Sequence, residues 1–306
     1  MIEGATLAPG AAARPRYRGA TGVSTCFGTF GELLQGVLPG RGGDFLVTLP
    51  VARWTHATFQ LDPQQRGVAV VPAHKHKARR LAELILARAG RPGGGVLTLD
   101  SGLPEGKGMA SSSADLVATA RAVTNTLRVE LPPAVLESLL RRIEPTDGVL
   151  YPGIVAFHHR TVRLRARLGS LPAMTIVGLD EGGTVDTVAF NRIAKPFSPA
   201  DRAEYARLLD AMTAAVAARD LRAVGAIATR STVLNQVLAP KRTLPDVLRI
   251  CADTGALGVV AAHSGTMLGI LFDRADPEYR RRVAHAVRAC SAISDDVCMH
   301  RTLSFE

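Results

Sequence analysis

Cysteine is scarce in this chain of 306 residues, and the four present, Cys26, Cys251, Cys290 and Cys298, are widely spaced with no Cys-x-x-Cys pair. That spacing excludes a zinc cluster and a secreted disulfide framework, and suits a reducing cytoplasm. Aromatic residues are only 5% of the chain and tryptophan occurs once, at Trp54. Little material is therefore available for stacking on bases. No apolar stretch approaches the roughly 18 residues needed to cross a bilayer. Residues 1–22, rich in Ala, Gly, Pro and Arg, lack the apolar segment and cleavage site of a secretory signal and read as a flexible tail. Acidic residues are also few: 27 against 37 Lys and Arg, a net charge of +10. The arginines are dispersed rather than gathered on one stripe, so the surplus points to a phosphate-rich ligand, and neither nucleic acid nor membrane is expected as a partner. The densest basic run, residues 160–167, alternates charge with smaller residues and reads as the solvated face of an edge strand. The histidine pairs His74/His76 and His158/His159 match no zinc spacing and read as solvated loop residues.

Hydrophobic residues make up 47% of the chain, enough for a substantial core. No internal repeat is evident. Strand signals fall at 45–51, 57–61, 68–71, 96–99, 174–179, 258–262, 267–272 and 297–304. Helical spacing falls at 75–89, 112–127, 133–142, 199–218, 221–238, 244–254 and 277–290. The mixture is α+β in two halves, with a break around 165–172, so the expected units are a tail at 1–22, a first domain at 23–168 and a second at 169–306.

The most informative stretch is Pro104-Glu-Gly-Lys-Gly-Met-Ala-Ser-Ser-Ser-Ala-Asp115. A strand signal precedes it, and after it Leu116, Ala120, Val123 and Leu127 mark one helix face. Gly106 and Gly108 permit close backbone approach, and the first turn of the helix offers unpaired N–H groups at the positive end of a dipole. Such a site holds an anion. It is not a Walker A loop, because Lys107 is followed by Gly108, and the dinucleotide fingerprint fails at Ser111. The segment resembles the central motif of the GHMP kinases. Two others occur in that family's order: Cys26 to Gly36, containing Gly31-Glu32, and Ala262-His263-Ser264-Gly265-Thr266. With Glu144-Pro-Thr-Asp147-Gly148, the set is most similar to the branch of the family that phosphorylates L-threonine in cobalamin synthesis.

The resemblance implies a ribosomal-protein-S5-like first half, a ferredoxin-like second half and a cleft between them. It implies ATP as phosphate donor, cradled by Pro104, Gly106, Lys107, Gly108, Met109, Ala110, Ser111, Ser112 and Ser113, with Lys107 as a point charge beside the triphosphate. Magnesium would be held by Ser112 and Glu144, and Asp147 would orient or deprotonate the acceptor hydroxyl. Phosphoryl transfer asks a protein for this cradle, cation and alignment. A free amino acid as acceptor further needs a partner for its ammonium, for which Glu32 is suited, and a lining for which Gln35, Tyr151, Asn235, His263, Ser264 and Gly265 are candidates. Asp115 is expected only to steady the start of the helix. Another hydroxyl acceptor, or a regulator that binds nucleotide without turnover, stays open. So does a homodimer.

Overall fold

The computed structural model describes residues 19–91, 93–185 and 193–305. Two long antiparallel strands, β1 (Thr21–Leu38) and β2 (Gly43–Asp62), form its spine. From Cys26 to Leu38 every residue of β1 is buried, so this strand carries no polar alternation. Strands covered on both faces read this way. β4 (Gly94–Ser101) pairs with the far half of β2, and β3 (Val68–Val71) closes that edge in parallel with β4. The hairpin of β5 (Ile154–His158) and β6 (Arg163–Gly169) attaches to β2 through β5 alone. The basic run thus lies on an edge strand whose exposure alternates.

The second half adds β7 (Met174–Asp180), β8 (Gly258–Ala261), β9 (Met267–Asp273) and β10 (Val297–Arg301), giving the order β10-β7-β9-β8-β1-β2-β4-β3. The pairing of Glu32 with Ala261 carries the sheet from one half to the other, and an isolated antiparallel bridge between Val51 and Thr302 joins the halves again. The expected division at 168/169 falls at the end of β6.

Helices α1 (His76–Arg88), α2 (Ser111–Leu127) and α3 (Pro133–Arg141) belong to the first half, and α4 (Pro199–Ala217), α5 (Leu221–Leu234), α6 (Leu244–Thr254) and α7 (Tyr279–Ser291) to the second. α2 is buried at every position but Ser112, Arg121 and Asn125, so the expected single apolar face is in fact a helix enclosed nearly all round. α4 begins with a capping box, Ser198 and Asp201 bonding each other's backbone N–H groups. One core runs through both halves, and a smaller one seals α6 and α7 against β7, β8 and β9, with Val247, Ile250, Val283 and Ala286 meeting Val177, Ile270 and Phe272.

Three expectations change. The tail ends earlier, since β1 starts at Thr21, and residues 1–18 lie outside the described residues. The strands expected at 45–51 and 57–61 are one continuous strand. The helix expected to reach residue 238 stops at Leu234 and tightens into a 3-10 turn at Asn235–Val237. Among the described residues no helix is long and apolar enough to cross a membrane.

Candidate active site

Between β4 and α2 the glycine-rich loop is pinned from several sides. Its carbonyls at Gly106, Lys107, Gly108 and Met109 accept from the backbone N–H groups of Val185, Thr266, Gly31 and Thr29, at 3.0, 3.3, 3.0 and 3.1 Å. Gly106 and Gly108 have φ of 71° and 85°. A Cβ on Gly108 would lie 2.3 Å from Ala262 Cβ, and one on Gly265 would lie 2.2 Å from the Lys107 carbonyl oxygen. The glycines therefore let the loop and the 262–266 turn of the second half approach one another. Ala110 follows in the left-handed region (φ 56°), a conformation L-residues seldom adopt outside sites that require it. No side chain caps α2. Its first-turn N–H groups are left to an incoming anion.

The loop and the start of α2 line a cleft of about 280 Å³, to which α1, β1 and the 144–147 turn also contribute. At one end stand two ammonium groups from the start of α1. Lys75 Nζ reaches Asp115 Oδ2 at 2.6 Å and Glu105 Oε1 at 2.5 Å. Burial works against its charge, but those hydrogen bonds outweigh it and hold its pKa above the ordinary lysine value. Asp115 also accepts from Thr55 Oγ1 at 2.8 Å, so it clamps β2, α1 and α2 together, a larger duty than steadying one helix turn. Lys77 Nζ contacts Glu144 Oε2, and Ser112 Oγ donates to Glu144 Oε1. The Glu144 carboxylate and the Ser112 hydroxyl thus already lie together. Hard oxygen donors of this kind suit magnesium, which completes its shell with phosphate oxygens and water. Among the described residues no cluster of three or more His, Cys, Asp or Glu could hold a metal.

Lys107 is placed otherwise than expected. Its ammonium lies 2.5 Å from Asp180 Oδ2, at the end of β7, and donates to the Gly183 carbonyl at 2.7 Å. It does not line the cleft, because a carboxylate of the second half holds it, and Pro104 does not line the cleft either. Lys75 and Lys77, which lie outside the family's motifs, are the cleft's cations there. Their pattern, Lys-His-Lys just before an amphipathic helix, was the available signal.

At the other end Asp147 follows the turn that leaves α3. Its N–H donates to Ser113 Oγ at 3.0 Å, and the same hydroxyl lies 3.2 Å from Asp147 Oδ2. The carboxyl keeps some access to the cleft. Even so, burial, reinforced by the nearby charges of Glu32 and Glu144 and opposed by the Ser113 bond, raises its pKa to about 7. That is the range of a working general base. Glu32 is aimed by a bulge in β1 at Gly31 (φ 50°). Its Oε2 accepts from the His263 N–H at 3.2 Å and meets His263 Nδ1 at 2.9 Å, while His263 Nε2 lies 3.0 Å from Ser231 Oγ. His263 therefore stands behind Glu32 as an orienting group. Ser264 reaches the cleft, but Gly265 lines a separate neighbouring hollow, where buried Lys241 donates to the Gly265 carbonyl.

Gln35 lines the cleft, but Tyr151 and Asn235 do not. Tyr151 is buried in the first half, its hydroxyl donating to Glu137 Oε1 at 2.9 Å with Arg167 stacked 4.7 Å from the ring centre. Asn235 sits buried at the end of α5, its carbonyl accepting from Leu238 and Ala239. His159, read as a solvated loop residue, is 3% exposed and lines the cleft. Burial depresses its pKa to about 4.

Family models for the GHMP kinases N terminal domain and the GHMP kinases C terminal match residues 76–151 and 212–292. The chain belongs to the GHMP kinase family. As a member it is a phosphotransferase acting on a hydroxyl group, with the family's α+β fold of an S5-like first half and a ferredoxin-like second half. Among curated proteins it is similar to the L-threonine kinase of Citrobacter freundii, 28% identical over 253 residues that span 82% of this chain and 86% of that one. The L-threonine kinase of Salmonella typhimurium LT2 is 27% identical over 257 residues, covering 82% and 83%. Among solved structures the homoserine kinase from Cytophaga hutchinsonii superposes with a TM-score of 0.71 at 17% identity, over 92% of this chain and 95% of that one.

Proposed function

We propose that this chain transfers the γ-phosphate of ATP to the side-chain hydroxyl of L-threonine, giving O-phospho-L-threonine and ADP. The observation that carries this reading is the convergence of Ser112, Glu144 and Asp147 beside the uncapped start of α2. The threonine assignment draws on the similarity to the two L-threonine kinases. The N–H groups of α2 and the ammonium groups of Lys75 and Lys77 hold the phosphates. ATP supplies the phosphoryl group, and magnesium, which Ser112 and Glu144 would hold, would supply positive charge to neutralise it. Asp147 orients the hydroxyl and takes its proton, a role its raised pKa suits. Glu32, fixed by His263, accepts from the ammonium of the amino acid. Four free thiols agree with a reducing cytoplasm as its place of work.

The test is acceptor-dependent release of ADP from ATP and magnesium across L-threonine, L-homoserine, mevalonate and galactose. L-Threonine is expected to give the highest kcat/KM and a phosphorylated product. Absence of threonine-dependent turnover overturns the assignment.

A further inference from the structure

The wall of the cleft beside Asp147 carries buried polar atoms that nothing among the described residues satisfies. Among the described residues Gln35 Oε1, Thr146 Oγ1 and both ring nitrogens of His159 have no hydrogen-bond partner, although these residues are 8%, 2% and 3% exposed. They sit together. The Thr146 N–H donates to the His159 carbonyl at 3.2 Å, Gln35 follows Glu32 along β1, and all three line the cleft. Buried polar groups are nearly always paired, and leaving one unpaired is costly. Several such orphans on one side of a binding cleft describe the outline of a ligand's polar groups.

Their chemistry divides them. Gln35 Oε1 only accepts and stands on the same strand as the Glu32 carboxylate, so that side suits a cation. His159, with its pKa depressed to about 4, is a neutral imidazole with one N–H donor, and Thr146 adds an O–H donor. That side suits an anion. Resting on L-threonine as the acceptor, we propose that Gln35, Thr146 and His159 are specificity-determining residues: Gln35 Oε1 accepts from the acceptor's ammonium beside Glu32, while Thr146 and His159 donate to its carboxylate. The pocket thereby selects a free amino acid over a hydroxyl compound that lacks either group.

The experiment compares kcat/KM for L-threonine, 1-amino-2-propanol (no carboxylate) and 3-hydroxybutanoate (no ammonium) in the wild type and three variants. The wild type is expected to prefer threonine over either analogue by about 100-fold or more, because a site built to bond a group rejects the molecule lacking it. Thr146→Val and His159→Phe should each raise the KM for threonine by about tenfold and shrink its preference over 1-amino-2-propanol, leaving the KM for ATP and the melting temperature in place. Gln35→Met should shrink the preference over 3-hydroxybutanoate instead. Thr146→Val keeps the side-chain shape, so it reads the hydroxyl even if His159→Phe fails to fold. Wild-type turnover of threonine with all preferences unchanged in the variants overturns the role of these three residues alone. No turnover of threonine by the wild type overturns the acceptor assignment, and their role with it.

Discussion

The two ends of the cleft are built on opposite plans. At the end proposed for the phosphates the protein satisfies itself: Lys75 is held by Asp115 and Glu105, Lys77 by Glu144, Ser112 by Glu144, and Lys107 is drawn off by Asp180. At the end proposed for the acceptor, Gln35, Thr146 and His159 keep polar atoms that are buried and unpaired among the described residues. A nucleotide entering the first end must exchange one set of charge partners for another, so its net gain there is small relative to the charges involved. An acceptor entering the second end removes a standing desolvation penalty. On the proposed reading phosphate binding is arranged for exchange and acceptor binding for recognition, with Asp147 at the acceptor end, bonded to Ser113 at the start of α2 and lying in the field of Glu32.

Asp147→Asn should break this arrangement most severely, since the proposed base would lose its capacity to take a proton. A fall in kcat of about 10²–10⁴-fold is expected, with ATP affinity nearly unchanged, measured by coupled ADP release and by nucleotide titration. The same residue sets a pH dependence. Its folded-state pKa is raised to about 7, so below that value it is protonated and cannot act as a base. The kcat/KM of the free enzyme should therefore rise with pH through about 7 and level off above it. A profile without that rise would remove Asp147 from the role of base and leave it only orienting the hydroxyl.

Smaller in effect, and aimed at the phosphate end, is a pair of substitutions. Ser112→Ala removes an oxygen that lies in the cleft and should weaken magnesium-dependent ATP binding by about tenfold. Lys107→Met removes a cation that the structure ties to Asp180 and Gly183, outside the cleft. It should change ATP binding by less than about threefold, within the range of a group whose contact with ligand is indirect. Calorimetric titration with and without magnesium measures both. If Lys107→Met proves the more damaging, its ammonium leaves Asp180 when nucleotide binds, and the cleft's cations are not Lys75 and Lys77 alone.

Legibility in the sequence followed the range of the forces involved. The loop at 104–115 and the turn at 144–148 were readable because glycine, proline and serine specify local backbone geometry. β1 was not, because a strand buried on both faces and interrupted by Gly28, Gly31 and Gly36 shows neither alternation nor a clean apolar run. The direction of Lys107 depends on Asp180, far along the chain and on the other half of the sheet. His159 looked like a loop residue because its burial comes from packing that its immediate neighbours do not encode. Local sequence thus marks the loops that carry the charged and polar motif residues, while the way each one points is decided by tertiary partners. Tyr151 shows the limit most clearly, being four residues from Asp147 yet turned into the scaffold.

That orientation gives the gentlest test of the contrast between cleft and scaffold. Tyr151→Phe deletes only the hydroxyl that donates to Glu137 Oε1, an oxygen that also accepts from the Leu164 N–H at 2.7 Å. Glu137 keeps that second bond, so no buried carboxylate is stranded, and the loss should be about 1 kcal/mol of stability. In a chain of this size the melting temperature should fall by about 2–3 °C. The KM for L-threonine should not move, because the ring and its hydroxyl face α3 and β6 rather than the acceptor. A threefold or larger rise in that KM with the melting temperature unchanged would bring Tyr151 back into the acceptor pocket, and the boundary between recognition and scaffold would have to move with it.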